Sequence, residues 1–597
     1  MMKALLIFFL LPLFLYAQDQ SSYLISEIRF QLSQDHPKQI SIEELETITV
    51  STLHNQHYSI REINRTQHVL EISKEGLQQL LNDVTNLFAE HGIDWVYANI
   101  PSDQIAQDGS DQRQSNQALN VAVSTPTIGK VETSVSDAKG NATPRYQEKQ
   151  AKIISKNLPS QLPDPATGIP GDFVNSETLN NYLYSLNRHP DKQVDLEIGP
   201  ADTPGSVALN FIIHQDRPYH FYTSVSSNIP VVVSRWLESV GYINTQLTGR
   251  DDILKLDYTT DSFDRLHSFL LSYEAPLGTS VGKRWSLGAN VNRFTSGQFG
   301  INTKPFRGTQ GIVDGEIILN VYQYKRLFLD YYAHLEYRHI RNQAHFIYPE
   351  VSKNFLLPST GLRLTQLKKE TKLLASFGVN STLSDLFWDV GHNLDALGRF
   401  DLSRNWAYIT FDFYASMFLE AWGEVFLNKK DQATHLANEI VLTANVQNAF
   451  NQRLIPQLEG IVGGLYTIRG YPQSTAAGDN LYSGFLEYRF HLPRALKIQP
   501  NSKKKLFGKP FKVAPPGPKE LPDWDFVLKA FYDIGTVTVN QRQPGEKNEF
   551  LMGAGLGAEL VLWHNLFIRC DWGISLNAAN GIKGGNNEVY FTSVIIF

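Results

Sequence analysis

Residues 550–563 read FLMGAGLGAELVLW, and residues 566–574 read LFIRCDWGI. In the first segment every second residue is apolar, and the positions between them include three glycines and Glu559. In the second segment the apolar set alternates with a face that carries Arg569 and Asp571. Successive side chains of a β-strand point to opposite faces, so each segment has one apolar face and one charged face. This pattern is typical of barrel strands that have lipid on one side and a lumen on the other.

The same alternation predicts a barrel over residues 219–597, where Asn, Asp, Gly and Ser recur between strand-like segments as turns require. At ~24 residues for a strand and its connection, this length accommodates about 16 strands, within the range of such barrels. We therefore predict a transmembrane antiparallel β-barrel (about 16 strands), preceded by two small α/β domains.

The end of the chain, residues 589–597, reads VYFTSVIIF. Phe591, Ile595 and Phe597 lie on one face of this last strand. A terminal Phe on the apolar face resembles the signal by which outer-membrane barrels are recognised for insertion. This resemblance implies the barrel-assembly machinery as a partner and outer-membrane lipid as the surroundings.

Composition excludes several other classes of protein. The 597 residues are 42% hydrophobic and 19% charged. Beyond the N-terminus no apolar run approaches the ~20 residues of a spanning helix, which argues against a helical membrane protein. A net charge of −6 without a concentrated basic face argues against nucleic-acid binding.

The N-terminus predicts the route of the chain. Lys3 is followed by an apolar run at residues 4–16 and then by Ala17. A short positive start before a hydrophobic run that is too short to span a bilayer is typical of a secretory signal. We predict a signal peptide at residues 1–17, cleaved after Ala17, with a short N-terminal anchor as the alternative.

The first α/β domain is predicted at residues 23–135. A helix is expected over residues 73–91, because Ser73 can cap its N-terminus and leucines follow at helical spacing. Strands are expected at residues 118–123 and 128–135.

The second α/β domain is predicted at residues 151–216, after a polar linker at residues 136–150. It is expected to begin with a short strand at residues 152–154. A helix at residues 176–186 and two further strands complete it.

Particular segments of both domains resemble a known family. Residues 72–101 and 118–132 look like the ShlB-type POTRA domain of two-partner secretion transporters (TpsB type). Residues 174–213, with LNRHP at 186–190, resemble the second POTRA domain of these transporters. The resemblance implies an outer-membrane protein of a Gram-negative-type bacterium with its POTRA domains in the periplasm.

Residues 461–489 contain the sequence Ile468-Arg469-Gly470-Tyr471. From the residues alone this is a loop with one Arg and a Gly that frees the backbone behind it. The superfamily of these transporters shares a loop of the pattern Val/Ile-Arg-Gly-Phe/Tyr that folds into the barrel. The resemblance therefore implies a pore loop here.

In that superfamily the Arg of the loop meets acidic residues of the inner wall, one of them in an F-x-D-x-G strand. The matching strand here contains Phe531, Asp533 and Gly535. Alternation alone also puts Asp533 and Glu559 on the lumen face. A guanidinium in a confined lumen needs a carboxylate partner. We predict that Arg469 pairs with Asp533, with Glu559 as the second candidate.

Two sequence patterns match catalytic or cofactor-binding motifs, but neither has the surrounding secondary structure that its motif requires. The G-x-S-x-G match at residues 278–282 is not followed by a helix, and the G-x-G-x-x-A match at residues 553–558 lies inside a strand. Cys570 is the only cysteine, which excludes an intramolecular disulfide and a Cys-based metal site. We expect no catalytic residues, no metal and no cofactor, and hence no enzyme.

A basic, Pro-rich insert at residues 500–525 separates two late strands. Counting strands from the C-terminus puts it at the periplasmic end, where barrel turns are normally short. Its composition predicts an extended or disordered segment.

The resemblance implies that the protein exports a large partner exoprotein, of the hemolysin or adhesin type, across the outer membrane. The POTRA domains are expected to bind the unfolded substrate, and the Arg469 loop is expected to control the pore. A barrel-assembly insertase of the same superfamily is the alternative, and a passive porin or receptor barrel is a second alternative.

Overall fold

The computed structural model describes residues 22–597, apart from residues 115, 138–139, 228–235, 300–301, 345–347, 388–393, 424–434, 502–503 and 564. The predicted signal peptide lies outside the described residues. Two compact units are present. The first comprises residues 22–132, Leu158–Asn180 and Leu196–Phe211, and the second comprises Thr133–Asn157, Asn181–Asp195 and Ile212–Phe597.

The elements of the first α/β domain are β1 (Ser22–Ile25), β2 (Glu27–Leu32), α1 (Ile42–Leu45), β3 (Thr49–Ser51), β4 (His57–Ser59), α2 (Ile60–Thr66), β5 (Leu70–Ser73), α3 (Lys74–Glu90), β6 (Tyr97–Asn99) and β7 (Ala118–Ser124). The strands form a three-stranded sheet of order β2–β7–β6 and two pairs, β1–β5 and β3–β4. Helix α3 begins where predicted, since the Ser73 hydroxyl accepts from the Gly76 N–H. Its apolar stripe, including Leu80, Val84 and Phe88, fills the core of this domain.

The second α/β domain consists of β8 (Thr127–Asp137), α4 (Pro144–Asn157), α5 (Ser176–Leu186), β9 (Lys192–Pro200) and β10 (Ser206–Gln215). Its sheet has the order β8–β10–β9. Helix α5 coincides with the predicted helix.

Two predictions about this region are wrong. The expected strand at residues 152–154 lies within α4, because Gln150, Ile153 and Ile154 form one buried helical face. A short apolar run cannot by itself distinguish a strand from a turn of buried helix.

The predicted linker at residues 136–150 is likewise wrong over its second half, since α4 begins at Pro144. Strand β8 belongs to the sheet of β9 and β10, so the first domain does not extend to residue 135 as predicted. The boundary lies between β7 and β8.

The barrel closes with sixteen strands in sequence order, which confirms the predicted fold class. The strands are β11 (Tyr219–Ser226), β12 (Leu237–Asn244), β13 (Ile253–Thr260), β14 (Leu266–Pro276), β15 (Lys283–Phe299), β16 (Asn302–Tyr324), β17 (Leu327–Ala344), β18 (Tyr348–Leu367), β19 (Thr371–Ser381), β20 (Ala407–Phe418), β21 (Asn438–Asn448), β24 (Asn480–His491), β27 (Trp524–Thr538), β28 (Glu549–Leu562), β29 (Leu566–Ser575) and β30 (Asn587–Ile596). Every neighbouring pair in the barrel is antiparallel, including the closing pair β11–β30.

Side chains alternate between the two faces of the barrel wall. Outward positions are exposed and apolar on strands all round the barrel, including Val240, Leu287, Val313, Leu335, Leu442, Leu486 and Leu556. Inward positions between them carry charge, as at Glu487, Asp533 and Asp571. The outer surface is therefore the apolar band that a membrane-spanning barrel needs. No helix in the described ranges is long and apolar enough to cross a membrane.

Two additional hairpins lie between barrel strands. The hairpin of β22 (Gly460–Val462) and β23 (Ala476–Gly478) belongs to the connection between β21 and β24. The hairpin of β25 (Lys505–Leu506) and β26 (Lys509–Pro510) belongs to the basic insert, which ends where β27 begins at Trp524. Short 3-10 turns occupy Ser384–Leu386, Leu394–Leu397, Leu419–Ala421, Pro456–Leu458 and Leu492–Ala495.

Candidate functional site: the Arg469 loop on the barrel wall

The connection between β21 and β24, residues 449–479, folds back onto the inner wall of the barrel. Its β22–β23 hairpin frames the segment Ile468–Tyr471. Gly463 and Gly464 both have φ of 105°, a conformation that residues with a Cβ rarely adopt, and they turn the chain at the tip. We call residues 449–479 the pore loop.

Arg469 is the centre of the contacts between the pore loop and the wall. Its Nε donates to Asp533 Oδ2 at 2.7 Å and its Nη2 donates to Asp533 Oδ1 at 2.6 Å. Its backbone N–H donates to the same carboxylate at 3.0 Å. Nη1 pairs with Glu487 and lies 3.2 Å from Asp571 Oδ2. The guanidinium carbon is 3.5 Å from the centroid of the Phe531 ring. This fork-shaped contact over an aromatic face is one that Arg makes and Lys cannot.

Every one of these groups is buried, so their charges must be balanced locally. Lys529 lies 2.7 Å from Glu559 and 2.8 Å from Asp571, Arg569 lies 2.6 Å from Asp571, and Arg489 lies 2.7 Å from Glu487. The wall cluster, taken as the groups linked at 3.8 Å or less, contains four carboxylates (Glu487, Asp533, Glu559 and Asp571) and four cations (Arg469, Arg489, Lys529 and Arg569). Arg489 also lies 3.9 Å from Glu439, which pairs with His491 beside this cluster. Three of the cations belong to the wall, and the fourth is supplied by the pore loop.

Glycines of the wall make room for the loop backbone. A Cβ at Gly553 would collide with the Arg469 carbonyl oxygen, and one at Gly573 would lie 2.5 Å from the Gly470 nitrogen. Gly470 itself has φ of 96° and approaches the backbone of Ile574. The glycines that interrupt the inward faces of β28 and β29 therefore form a cradle for the segment around Arg469.

The residues on either side of Arg469 anchor it independently of charge. Ile468 is fully buried, and its methyl group is 3.0 Å from the Cβ position that Gly535 leaves open. The Tyr471 hydroxyl donates to the Asn577 carbonyl at 2.7 Å, and the Tyr590 hydroxyl donates to the Tyr471 carbonyl at 2.6 Å. The whole Ile468–Tyr471 segment is therefore fixed to the wall.

The structure brings Arg469 together with Asp533 but not with Glu559. Glu559 pairs with Lys529 and is 3.8 Å from Arg569, so its prediction as a second partner of Arg469 is wrong. Glu487 and Asp571 take that place and were missed. Alternation puts both on the inward face, but it does not tell which inward carboxylates lie opposite a loop.

A second buried ion cluster lies at the base of the pore loop, and sequence patterns gave no sign of it. Arg453 is fully buried and pairs with Glu546 at 2.8 Å. Arg399 donates to Asp479 through Nη1 at 2.6 Å and Nη2 at 2.7 Å, and it is 3.0 Å from Glu459. These residues come from three different inter-strand connections, where no periodicity exists. The cluster ties the pore loop to its neighbouring loops.

The last strand closes the barrel. The outward side chains of Ile595 and Phe597 are exposed, and the Phe591 ring is 6.1 Å from that of Trp236 in an edge-on arrangement. The predicted C-terminal signal residues thus form part of the apolar outer band.

A third cluster surrounds Asp251, in the turn between β12 and β13. Lys192 Nζ is 2.6 Å from its carboxylate, and the amides of Gln150 and Gln246 donate to it at 2.9 Å and 2.7 Å. Burial raises the pKa of Asp251, but Lys192 and His189 outweigh burial and lower that pKa overall. His189 is buried, and neither ring nitrogen makes a hydrogen bond of good geometry in the described part of the chain. Burial lowers the pKa of His189; Asp251 opposes this, and Lys192 and Arg284 add to it.

Within the described residues no group of three His, Cys, Asp or Glu side chains is arranged to hold a metal ion.

Comparison with known proteins identifies the fold. No protein-family model and no curated protein sequence matches the chain. The solved structure of CdiB from Escherichia coli is 13% identical, with a TM-score of 0.63 over 98% of this chain and 93% of that one. CdiB from Acinetobacter baumannii is 16% identical, with a TM-score of 0.56 over 97% of this chain and 91% of that one. The fold that the resemblance implied is thereby confirmed, and the chain has the fold solved for CdiB.

Proposed function

We propose that this protein lies in the outer membrane of a Gram-negative-type bacterium and exports a large partner exoprotein, of the hemolysin or adhesin type, through its barrel. The α/β domains face the periplasm and bind the unfolded substrate, and no chemical step is involved. The observation that carries the proposal is the pore loop, held inside the lumen by Arg469 on Glu487, Asp533 and Asp571. A passive channel needs no such loop.

The pore loop is the gate in this proposal. A polypeptide that passes through the lumen needs the space that residues 449–479 fill. When the pore loop leaves the wall, Arg469 loses its ion pairs with three buried carboxylates and its contact with one aromatic ring at the same time. A buried network of this kind has two discrete arrangements, docked and released, and not a graded range. Engagement of substrate would shift the balance between them.

The substrate is expected to dock on a sheet edge by adding a strand. Side-chain amides cover parts of three edges: Asn64 bonds both backbone groups of Ile28 in β2, Gln147 accepts from Val135 in β8, and Asn187 bonds both backbone groups of Val194 in β9. Because alternate residues present their backbone groups to the same side, Leu196 and Ile198 of β9 share the outer edge with Val194. Those two residues are the docking edge we propose.

A barrel-assembly insertase is the second candidate, and one observation favours it. The closing pair β11–β30 has five ladder pairs, Tyr222–Ser226 against Thr592–Ile596, with further backbone hydrogen bonds joining Phe221 to Phe597 and Ser227 to Phe591. The two pairs that adjoin it are longer, with eight ladder pairs in β11–β12 and nine in β29–β30. A short seam is the place where a barrel wall would open towards the lipid.

Replacing Arg469 by Ala tests the gate. Removing one partner of a buried ion pair costs about 3–5 kcal/mol, so the docked loop should be lost while the barrel stays folded. We expect secretion of the partner exoprotein to fall while insertion into the outer membrane is unchanged. Heat-dependent mobility on gels reports barrel folding, and immunoblots of the medium report export.

Arg363→Ala is the matched control. Arg363 also faces the lumen, makes two hydrogen bonds to Glu316 at 2.7 and 2.6 Å and lies over the Tyr332 ring. Among the described residues, its hydrogen bonds and ring contact are with barrel strands and not with the pore loop. Unchanged secretion in Arg469→Ala, or equal loss in both variants, would contradict the role of the loop. Comparing secreted proteins of a strain that lacks the chain separates the candidates: loss of one large exoprotein supports export, and broad loss of outer-membrane barrels supports the insertase.

A further inference from the structure

The basic insert carries a surface that the proposed gate does not use. Within this insert, residues 500–519 contain six Lys and no Asp or Glu. The β25–β26 hairpin, residues 505–510, presents this charge at a tight turn. Lys505 and Lys509 are exposed, and neither ammonium group has a carboxylate partner among the residues that the structure describes. We call residues 505–510 the basic hairpin.

The tip of the basic hairpin is an exposed aromatic residue. Phe507 and Gly508 occupy the turn with φ of 48° and 79°, the left-handed pair that two-residue hairpins require. Asn or Gly normally fills the first of these positions, and Phe adopts it only with strain. The Phe507 side chain is nevertheless 85% exposed. An aromatic residue that keeps a strained backbone while most of its side chain faces solvent contributes little to the fold, which indicates a binding role.

The basic hairpin lies beside the turn between β28 and β29, at the end of the barrel where β30 ends. The Phe507 ring is 6.2 Å from the ring of Trp563, which also contacts Phe511 at 5.4 Å. Trp563 belongs to the turn between β28 and β29. In the same turn, Asn565 donates to the Ile596 carbonyl at 2.9 Å and accepts from the Ile596 N–H at 2.7 Å. The neighbouring side chain of Phe597 points outward and is exposed.

We propose that the basic hairpin binds anionic phospholipid head groups at the edge of the bilayer around the barrel. Phe507 enters the interface beside Trp563, at the depth where aromatic rings are favoured. Lys505 and Lys509 lay their aliphatic stems along the interface and place their ammonium groups on lipid phosphates. This inference rests on the proposed outer-membrane location, and it does not depend on what the barrel exports.

An acidic stretch of polypeptide would also suit the lysines, but it would not explain the aromatic tip. Trp563, which lies beside Phe507, belongs to a turn whose Asn565 is hydrogen-bonded to Ile596, the residue before the outward-facing Phe597. Aromatic rings flanked by lysines at the end of an apolar band are typical of a membrane interface. Lipid is therefore the occupant that both the charge and the position favour.

The test uses the full-length protein in mixed micelles of a neutral detergent. Cys570→Ala and Pro510→Cys give a single thiol beside the tip, which is labelled with an environment-sensitive fluorophore. Phosphatidylglycerol or phosphatidylcholine is then added. We expect a fluorescence change with phosphatidylglycerol and none with phosphatidylcholine. Lys505→Gln with Lys509→Gln should raise the amount of phosphatidylglycerol needed for half the change by about thirtyfold, since each lysine near an anionic surface adds to binding.

Lys368→Gln with Lys369→Gln is the matched control, because these exposed lysines occupy another inter-strand turn without an aromatic tip. Phe507→Ser should weaken the response and leave the barrel folded. Equal responses to both lipids, or no effect of the Lys505/Lys509 pair, would overturn the proposal. A response to polyglutamate but not to phosphatidylglycerol would assign the surface to an acidic polypeptide instead, and an equal response to inorganic phosphate would assign it to free anions. If the protein is absent from outer-membrane fractions, the proposed export function is contradicted. If only the micelle experiment fails, the lipid-binding proposal is contradicted and the proposed export function stands.

Discussion

At the scale of single residues, the glycines of the inner wall decide whether the pore loop can dock. Gly553 faces the Arg469 carbonyl so closely that any Cβ would collide with it. The sequence does not predict this role. A glycine in an alternating strand indicates only a weakened strand unless the backbone that approaches it is known.

We predict that Gly553→Ala releases the pore loop. Overpacking of this kind costs about 1–3 kcal/mol, which shifts the ratio of docked to released loop by roughly 5- to 150-fold. Trypsin cleaves after Arg, so cleavage of the folded protein after Arg469 measures the released fraction. We expect faster cleavage than in the parent protein.

Gly484→Ala is the control for this variant. A Cβ at Gly484 would meet its nearest atoms at 3.8 and 3.9 Å, which is ordinary contact. Equal cleavage rates in the two variants would show that the cradle does not hold the loop.

Strand periodicity determines which residues of the site could be predicted from the sequence. Asp533 could be put on the lumen face because its strand alternates, and the Arg motif supplied its partner. Glu487 and Asp571 alternate equally well, yet only the folded loop selects them over Glu559. Arg453 lies in an irregular connection, so its burial against Glu546 has no sequence signal.

At the scale of elements, the edge of β9 offers a direct test of substrate docking. The Leu196 N–H is expected to face away from β10, so a proline there removes one docking hydrogen bond and leaves the β9–β10 pairing intact. Each lost hydrogen bond costs about 0.5–1.5 kcal/mol, and we expect Leu196→Pro to weaken substrate binding by roughly 2- to 13-fold and to lower secretion.

Leu196→Ala removes the side chain but keeps the N–H, and it should leave secretion nearly unchanged. The thermal unfolding temperature of both variants checks that the domain remains folded. Equal losses of secretion would assign the effect to the side chain and not to the sheet edge.

Locking the β11–β30 seam distinguishes the two candidate functions, export through the lumen and insertion of proteins into the membrane. Ser224 and Val594 are directly opposite each other in this pair. The flanking backbone bonds make them a non-hydrogen-bonded pair, with Cα atoms about 4.5 Å apart, which suits a disulfide. In a Cys570→Ala background, Ser224→Cys with Val594→Cys should lock the seam on oxidation.

Secretion should be unaffected by that lock if the substrate leaves through the lumen. Loss of activity on oxidation, restored by a reductant, would instead support the insertase. The single-cysteine variants control for the substitutions themselves.

Elements with strong periodicity were predicted well and short ones were not. Helices α3 and α5 and the late barrel strands follow their apolar patterns closely. Helix α4 was mistaken for a linker and a short strand, since three of its described side chains are buried, Gln150, Ile153 and Ile154. The sheet to which β8 belongs depends on long-range pairing, which local patterns do not encode.

At the scale of the whole molecule, the Asp251 cluster makes stability depend on pH. The pKa of His189 is lowered below its ordinary 6.5. At a pH between the lowered pKa of His189 in the folded protein and its ordinary pKa in the unfolded chain, the unfolded chain binds a proton that the folded protein excludes. The free energy of unfolding therefore falls as the pH drops below about 6.5. We predict a lower unfolding temperature at about pH 5.5 than at about pH 7.5, followed by circular dichroism of the full-length protein in detergent.

His189→Gln should reduce this pH dependence, because the group that titrates is gone. His214→Gln removes an exposed histidine from β10 and should leave the dependence as it is in the parent protein. If His189→Gln leaves the dependence of the unfolding temperature on pH unchanged, other titrating groups must cause that dependence. The depressed pKa of Asp251 acts in the same direction but only in much more acid solution, as its carboxylate becomes protonated.

The balance of the wall cluster has a consequence for what passes through the opened barrel. With the pore loop docked, four carboxylates face four cations, but one of those cations, Arg469, leaves with the loop. The bare wall then holds Glu487, Asp533, Glu559 and Asp571 against Arg489, Lys529 and Arg569. An open lumen with this excess of negative charge attracts positive ions and repels negative ones. The opened state should therefore be selective for cations, and the same field would favour the passage of basic segments of a polypeptide over acidic ones.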